Sequence, residues 1–171
     1  HAAMAGALGL VTRPLLTAST ALAKAEGGAG AGPQAFKVLL VGLGGGGLPM
    51  FLAKHYPFMA VESVEISPAV VSMAEKHFGY LESARRRGVE LDVVIGDARL
   101  SLERQTDRAY DVLVLDAFSS DVVPVHLLTR EAFEVYRRHL AADGMLALHV
   151  SSAHFELQPV VTALAESIEM Q

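Results

Sequence analysis

The chain has 171 residues, of which 51% are hydrophobic and 19% are charged, and its net charge is -5. These values predict one globular domain with a sizeable core, and the acidic balance argues against nonspecific binding to nucleic acid. The sequence has no cysteine, which excludes disulfides, zinc–thiolate sites and thiol nucleophiles, and it has no apolar run of the roughly 18 residues that a membrane span needs.

The N-terminal part differs in composition from the rest. Apolar residues recur at helical spacing over residues 4–24, interrupted by Pro14, which predicts a helix, a break and a second short helix. Residues 26–33 are rich in glycine and alanine and are typical of a linker. We therefore expect a helical segment with a glycine-rich linker over residues 1–35, and one domain over residues 36–171. The chain starts without an initiator methionine and stops abruptly, so we also expect a longer parent protein and a domain truncated at its C-terminus.

Beyond this segment, apolar runs alternate with helical patterns. Five runs are predicted as strands, at residues 37–41, 60–66, 91–95, 110–115 and 145–150. Helices are predicted at residues 48–55, after the N-cap Ser67 and Pro68, at 129–140 and at 157–168. The alternation predicts an α/β fold, namely a Rossmann-like, doubly wound, mainly parallel sheet with helices on both faces.

The first predicted strand runs directly into a glycine-rich turn, GLGGGG at residues 42–47. Glycines let the backbone turn tightly and approach a ligand closely, and the N-terminus of the next helix attracts polar or anionic groups. A glycine-rich turn alone is a weak signal, because many such runs are only flexible loops. Its position directly after a strand favours a ligand-binding loop.

Acidic residues follow the next three predicted strands. Glu65 lies about 20 residues past the glycines, where a carboxylate accepts hydrogen bonds from two ribose hydroxyls in dinucleotide-type folds. The alternative is a surface acid at a strand end, and in either case we expect little contribution to the fold. Asp97 is placed to accept a hydrogen bond from an adenine amino group, and Asp116 ends the fourth strand, whereas Glu62 lies too early in its strand. Since open α/β sheets bind ligands at the carboxyl ends of their strands, four such ends in succession predict a nucleotide-type site.

Other chemistries fit the sequence poorly. The seven histidines are scattered without metal-ligand spacing, so we expect no metal site and interpret His149 and His154 as structural or exposed. Ser119 and Ser120 lie outside any nucleophile-elbow context, which argues against a hydrolase. The glycine run lacks the Lys-Ser/Thr ending of a P-loop, which argues against an NTPase.

Four motifs carry a resemblance to a known family. They are VLLVGLGGG at residues 38–46, VEISP at 64–68, VIGDA at 94–98 and YDVLVLD at 110–116. The stretches 124–140 and 144–151 follow the same pattern. With these motifs the chain resembles the spermidine synthase family and its methyltransferase-like relatives, which share the class I S-adenosylmethionine-dependent transferase fold.

The resemblance implies a nucleoside cofactor, either S-adenosylmethionine or its decarboxylated form. It implies that Gly42, Gly44 and Gly46 belong to a loop that cradles the amino-acid or aminopropyl portion. It also implies that Glu65 holds the ribose, with Ile66 beside it in the cofactor site.

The same resemblance gives roles to the later motifs. Asp97 and Ala98 would hold the adenine, and Asp116 would lie near the reacting sulfonium. Asp121 is the second candidate, with Asp116, for orienting or deprotonating the acceptor.

Two departures separate the sequence from the true aminopropyltransferases that it resembles. Those enzymes carry an acid within the glycine loop, which binds the aminopropyl amine, and Gly45 occupies that place here. They also carry an Asp-Ser/Thr-x-Asp-Pro motif after the fourth strand, and the place of its second acid falls on Ser119, unless a shifted loop lets Asp121 substitute. Losing two acids from a site that must bind a cationic polyamine favours the methyltransferase-like branch, which includes proteins that methylate an elongation factor.

Three functions stay open at this point. The leading hypothesis is methyl transfer from S-adenosylmethionine to an amine or another nucleophile, on a small molecule or a protein. The second is aminopropyl transfer from decarboxylated S-adenosylmethionine to a polyamine, for which Asp116, Asp121 and Glu156 would supply the acidic pocket. The third is a noncatalytic domain for binding or dimerisation. We expect no nucleic-acid partner, a homodimer as one assembly, and a cytoplasmic location by default.

Overall fold

The computed structural model of the chain describes residues 8–10, 36–106, 109–118, 123–150 and 155–170. Within these ranges the strands are β1 (Leu8–Leu10), β2 (Phe36–Val41), β3 (Met59–Glu65), β4 (Leu91–Ile95), β5 (Tyr110–Leu115) and β6 (Leu140–His149). They form one sheet in the order β1–β6–β5–β2–β3–β4. Strands β2 to β6 run parallel, and β1 pairs antiparallel with β6. The doubly wound, mainly parallel sheet predicted from the sequence is therefore confirmed.

Helices connect the parallel strands, and one more follows the last strand. They are α1 (Gly47–His55), α2 (Pro68–Met73), α3 (Tyr80–Arg86), α4 (Ala98–Arg104), α5 (Arg130–His139) and α6 (Gln158–Ser167). A π-helical turn, Ala74–Phe78, extends α2, and a 3-10 turn, Val125–Leu127, precedes α5. Helices α3 and α4 were not predicted, because seven residues are too few for a helical period to stand out.

The central strand β2 is buried on both faces. Val38 and Leu40 pack with α1 on one face, while Leu39 and Val41 join the larger cluster formed with α4, α5 and α6 on the other. Because successive side chains of a strand point to opposite faces, its continuous apolar run needs cover on both sides. The predicted arrangement of helices on both faces is confirmed.

The N-terminal residues differ from the predicted helix where they are described. Leu8–Leu10 form β1, in which Leu8 pairs with His149 and Leu10 with Ala147. Pairing with β1 satisfies backbone groups along that edge of β6, whereas a short isolated helix is only marginally stable in water. The rest of the predicted helical segment and the linker, residues 1–7 and 11–35, lies outside the described residues.

The last strand begins earlier than the sequence predicts. β6 starts at Leu140, directly after α5, and not at Met145. The register with β5 shifts in between, because Tyr110 faces Leu140 whereas Val112 faces Met145. A Cβ at Gly144 would lie 2.7 Å from the carbonyl oxygen of Tyr110, so the close backbone approach in this irregular stretch requires glycine.

Two buried tyrosines have contrasting environments. The hydroxyl of Tyr136, on α5, donates a hydrogen bond to the carbonyl oxygen of Leu127 at 3.1 Å. The hydroxyl of Tyr80, on α3, is buried and has no hydrogen-bond partner among the described residues. Burial raises the pKa of both groups, and burial together with the charge of Glu65 raises the pKa of Tyr80 to about 12.

We expect the two Tyr→Phe substitutions to differ in their effect on stability at neutral pH. Tyr136→Phe should lower the free energy of unfolding by about 1 kcal/mol, because the buried carbonyl of Leu127 loses its donor. Tyr80→Phe should leave it unchanged or raise it, because a buried hydroxyl without a partner is removed. Urea unfolding followed by circular dichroism measures both. A loss in Tyr80→Phe as large as that in Tyr136→Phe would contradict this account.

The same tyrosines predict a loss of stability at alkaline pH. In the unfolded chain a tyrosine ionises near pH 10, whereas the folded protein keeps Tyr80 and Tyr136 protonated to higher pH. Above about pH 10 the unfolded state therefore binds fewer protons than the folded state. The free energy of unfolding then falls as the pH rises toward about 12. Urea unfolding across this range should show a shallower fall in Tyr80→Phe than in the wild type. Identical slopes would mean that Tyr80 does not titrate differently in the two states.

Candidate functional site

The loop after β2 brings the ends of two strands together. Gly42 has a φ of +99°, and a Cβ there would lie 2.5 Å from the carbonyl oxygen of Asp116. The backbone N–H of Asp116 donates a hydrogen bond to the carbonyl oxygen of Val41 at 2.9 Å. β2 and β5 therefore approach closely at their carboxyl ends, at the point where the strand order reverses. Open α/β sheets bind their ligands at such a point.

The glycine loop, residues 42–47, presents an open backbone surface. A Cβ at Gly44, Gly45 or Gly47 would meet no atom of the described residues within 4 Å, so the outer side of the loop has room for a ligand. Gly46 has a φ of +77° and packs the other way, since a Cβ there would lie 2.1 Å from the ring of Tyr80. The ring of Tyr80 thus supports the loop from the protein side and requires glycine at this position.

Glu65, the last residue of β3, holds this loop with its side chain. Its Oε2 accepts a hydrogen bond from the N–H of Leu43 at 2.9 Å, and its Oε1 accepts one from the N–H of Ser67 at 2.9 Å. Each carboxylate oxygen has a second lone pair that can accept a hydrogen bond from a ligand hydroxyl. The predicted contact of Glu65 with the ribose stays a prediction.

The burial of Glu65 corrects two sequence-based expectations. The residue is 8% exposed, so the alternative of a surface acid is wrong. The expectation that it contributes little to the fold is also wrong, because its carboxylate joins the loop after β2 to the turn after β3. Only a tertiary contact decides this, since 22 residues separate Glu65 from Leu43.

Exposed aliphatic side chains lie beside Glu65 at the same edge. Ile66 is 66% exposed, and Ile95, which pairs in register with Glu65 at the end of β4, is 54% exposed. Such side chains gain free energy when a ligand removes them from water. Together they give this part of the edge the apolar character that small-molecule sites use for most of their contact area.

Asp97 has two protein partners at the start of α4. Its Oδ1 accepts a hydrogen bond from the N–H of Leu100 at 2.9 Å, which caps the helix, and its Oδ2 lies 3.1 Å from Nε2 of His126. Ala98 is buried as the first residue of the helix. An adenine amino group would share the carboxylate with these partners, so the predicted adenine contact stays a prediction. His126 was not singled out in the sequence, because nothing in the 29-residue separation links it to Asp97.

Asp116 forms a close pair with a histidine. Nδ1 of His149, the last residue of β6, lies 2.7 Å from Oδ1 of Asp116. The ring of Phe118 packs edge-on against the imidazole, with ring centroids 4.6 Å apart. His149 was interpreted from the sequence as structural or exposed, and a separation of 33 residues gives no local sign of its pairing with Asp116. A sequence signal for it exists only once β5 and β6 are paired, because both residues then lie at the ends of neighbouring strands.

Some residues considered in the sequence lie outside the described part of the chain. They are Ser119, Ser120, Asp121 and His154. Within the described ranges, no group of three or more histidine, aspartate and glutamate side chains is placed to hold a metal ion. None of the helices in those ranges is both long enough and apolar enough to cross a membrane. The role predicted for Asp121 stays a prediction.

Two relatives of the chain belong to two different classes of transferase. A model of the spermine/spermidine synthase domain matches residues 25–169. The polyamine aminopropyltransferase of Vibrio vulnificus (strain CMCP6) is 36% identical over 122 residues, covering 70% of this chain and 39% of that protein. The eEF1A lysine and N-terminal methyltransferase of Bos taurus is 34% identical over 121 residues, covering 71% of this chain and 15% of that protein. The chain thus spans less than half the length of these relatives.

A solved structure shows the same fold. Human methyltransferase-like protein 13, determined in complex with SAH, matches with a TM-score of 0.67 and 24% identity, covering 78% of this chain and 63% of that chain. At this identity the match supports the Rossmann-like architecture alone. The family resemblance indicated by the motifs is confirmed by the model match over residues 25–169.

We expect substitutions of Glu65 to weaken the fold as well as the site. A hydrogen bond to a charged acceptor contributes about 1.5–3 kcal/mol, so Glu65→Ala, which removes two, should lower the free energy of unfolding by about 3 kcal/mol or more. Glu65→Gln keeps one acceptor oxygen and should lose about half as much. Urea unfolding measures the loss, with the exposed Glu75→Ala as the control, expected to stay within about 1 kcal/mol. Equal losses in Glu65→Ala and Glu75→Ala would contradict the bridging role.

Proposed function

The chain belongs to the spermine/spermidine synthase domain family, and on this basis we propose that it transfers the methyl group of S-adenosylmethionine to an amine or a similar nucleophile. The observation that carries the proposal is Gly45, which stands in open space where aminopropyltransferases of the family have an acid. An acid there attracts the amine of an aminopropyl group and repels the extra carboxylate of S-adenosylmethionine. A loop without the acid accommodates that carboxylate.

The described residues fit such a nucleoside in three respects. The open loop at Gly45 leaves room for the amino-acid portion. The carboxylate of Glu65 has lone pairs for the ribose hydroxyls, in addition to those that bind the backbone. The exposed side chains of Ile66 and Ile95 offer apolar contact to a flat base.

We assign the remaining contacts to the residues around these three. Gly42 and Gly44 shape the loop through their positive φ angles, and Gly46 seats it on the ring of Tyr80. Asp97 and Ala98 border the adenine, at the start of α4. All of these residues lie on the β2–β3–β4 side of the sheet edge, which we therefore assign to the nucleoside.

The acceptor takes the other side of the edge in this proposal. When bound, S-adenosylmethionine supplies a sulfonium methyl group, whose C–S bond breaks with its electron pair staying on sulfur as the bond to the acceptor forms. The reaction needs alignment of the two substrates and no covalent intermediate with the protein. Asp116, and Asp121 in the segment that follows it, are the residues that we propose to orient the acceptor.

Aminopropyl transfer from decarboxylated S-adenosylmethionine to a polyamine is the second candidate. The 36% identity to the Vibrio vulnificus aminopropyltransferase favours it. Electrostatics disfavours it, because a polyamine is a polycation and Gly45 supplies no charge to hold it. Oδ1 of Asp116 in addition lies 2.7 Å from Nδ1 of His149, so part of the hydrogen-bond capacity that a polyamine ammonium would need is already used.

We expect the wild-type protein to bind S-adenosylmethionine more tightly than its decarboxylated form in calorimetric titrations. Gly45→Asp should reverse or reduce this preference by about tenfold or more, equivalent to about 1.4 kcal/mol, because it places a negative charge beside the carboxylate. The fold tolerates the new side chain, since a Cβ at residue 45 meets open space. Gly45→Asn is the matched control, with nearly the same shape and no charge, and should change the preference little.

Each outcome of the wild-type titrations points to one function. Preference for S-adenosylmethionine supports methyl transfer. Preference for the decarboxylated nucleoside would replace it with aminopropyl transfer to a polyamine. Binding of neither would leave the noncatalytic domain, for binding or dimerisation, as the function.

A further inference from the structure

The pair formed by Asp116 and His149 lies on the acceptor side of the sheet edge. Leu115 pairs with Leu148 in the register of β5 and β6, so the residues that follow them, Asp116 and His149, are neighbours at the carboxyl ends of adjacent strands. Their side chains are 43% and 30% exposed, respectively. Both side chains are thus held by the fold and partly exposed to solvent. Glu65, on β3, lies across the switch point from them.

The geometry of the pair determines which nitrogen of the imidazole faces the carboxylate. An ionised carboxylate can only accept hydrogen bonds, so Nδ1 of His149, at 2.7 Å from Oδ1 of Asp116, must carry the hydrogen. Any proton exchange with a ligand then takes place at Nε2. The edge-on contact with the ring of Phe118, at a centroid distance of 4.6 Å, further holds the plane of the imidazole. A histidine oriented by an acid in this way is an arrangement suited to proton transfer.

We propose that His149, oriented by Asp116, is the residue that takes a proton from the acceptor amine. The inference rests on the proposed function, because methyl transfer to an amine requires its nitrogen to be neutral. An alkylamine with a pKa of about 10.4 is almost fully protonated at neutral pH and has no lone pair to attack with. In the step proposed, the N–H bond of the ammonium breaks, its electron pair stays on nitrogen, and the proton moves to Nε2 of His149. The proton later leaves to water.

Asp116 supports this step through the histidine. Its negative charge at 2.7 Å stabilises the imidazolium that forms when the ring takes up the proton. The close approach of Gly42 to the backbone of Asp116 fixes the carboxylate-bearing residue beside the glycine loop. The proton acceptor and the nucleoside loop are therefore parts of one rigid strand edge, which limits the loss of alignment between the two substrates.

The test compares wild type, His149→Gln and Asp116→Asn, with His77→Gln, an exposed histidine on the π-helical turn, as the matched control. Transfer from S-adenosylmethionine is followed with three probe amines: putrescine, n-butylamine and Nα-acetyl-lysine amide. At neutral pH His149→Gln should lower kcat/KM by about 100-fold or more, the usual contribution of a general base. Asp116→Asn should give a smaller loss, and His77→Gln none.

Two further readouts separate proton transfer from a merely structural role. Calorimetry with S-adenosylhomocysteine should give affinities within about twofold in wild type and His149→Gln, because the histidine lies outside the nucleoside half. The rate deficit of His149→Gln should close as the pH rises to about 10, where the amine loses its proton to solvent. Thermal melts by circular dichroism check that each variant is folded.

The outcomes distinguish this inference from the proposed function. A His149→Gln variant with wild-type rate and pH profile would overturn the role of His149 while leaving methyl transfer standing. A deficit that persists at high pH would show that His149 positions the acceptor and does not take its proton. A wild-type protein that binds neither form of the nucleoside would overturn both. One that binds S-adenosylmethionine and transfers to none of the three amines would overturn the role of His149 toward an alkylamine while leaving methyl transfer to another nucleophile standing.

Discussion

The carboxylate of Glu65 joins two loops at the half of the sheet edge that we propose to bind the nucleoside. It accepts one hydrogen bond from the loop after β2 and one from the turn after β3, and it is buried where it does so. Burying a carboxylate costs free energy unless it accepts hydrogen bonds, so the two loops and the strand end constrain one another. Burial is the larger cause of the raised pKa of Tyr80, and the charge of Glu65 is the second. The ring of Tyr80 packs against Gly46 in the glycine loop. A ligand at this edge meets a surface that is already organised.

The close approach of Gly42 to Asp116 divides that edge into two halves. A Cβ at Gly42 would overlap the carbonyl oxygen of Asp116, so this contact between β2 and β5 depends on glycine. On one side lie Glu65 and the exposed isoleucines, and on the other lies the pair of Asp116 with His149. The two sets of groups lie on opposite sides of the boundary between the neighbouring strands β2 and β5. A two-substrate transfer needs this arrangement, since both reactants must meet at one point.

Sequence identity alone does not choose between the two reactions of the family. The chain is 36% identical to an aminopropyltransferase and 34% identical to a methyltransferase, and the difference is too small to decide. The charge of the site is the better criterion. Aminopropyl transfer must bind a polycationic acceptor and a nucleoside without a carboxylate, whereas methyl transfer must bind a nucleoside that carries one. The open, uncharged position at Gly45 and the histidine partner of Asp116 both act in the same direction. Both agree with the proposed methyl transfer.

The sequence by itself determined the parallel sheet, the glycine loop and the acid at the end of β3, because these depend on local patterns. A strand buried on both faces is a continuous apolar run, and a helix start is marked by its cap, as Ser67 shows by accepting a hydrogen bond from the N–H of Val70. Only the tertiary structure decided that β1 pairs with β6, that β6 begins at Leu140, and that His149 meets Asp116. These features join segments far apart in the chain, and their energies come from pairing backbone or charged groups across that distance. The local sequence around a residue therefore does not indicate which distant residue it contacts.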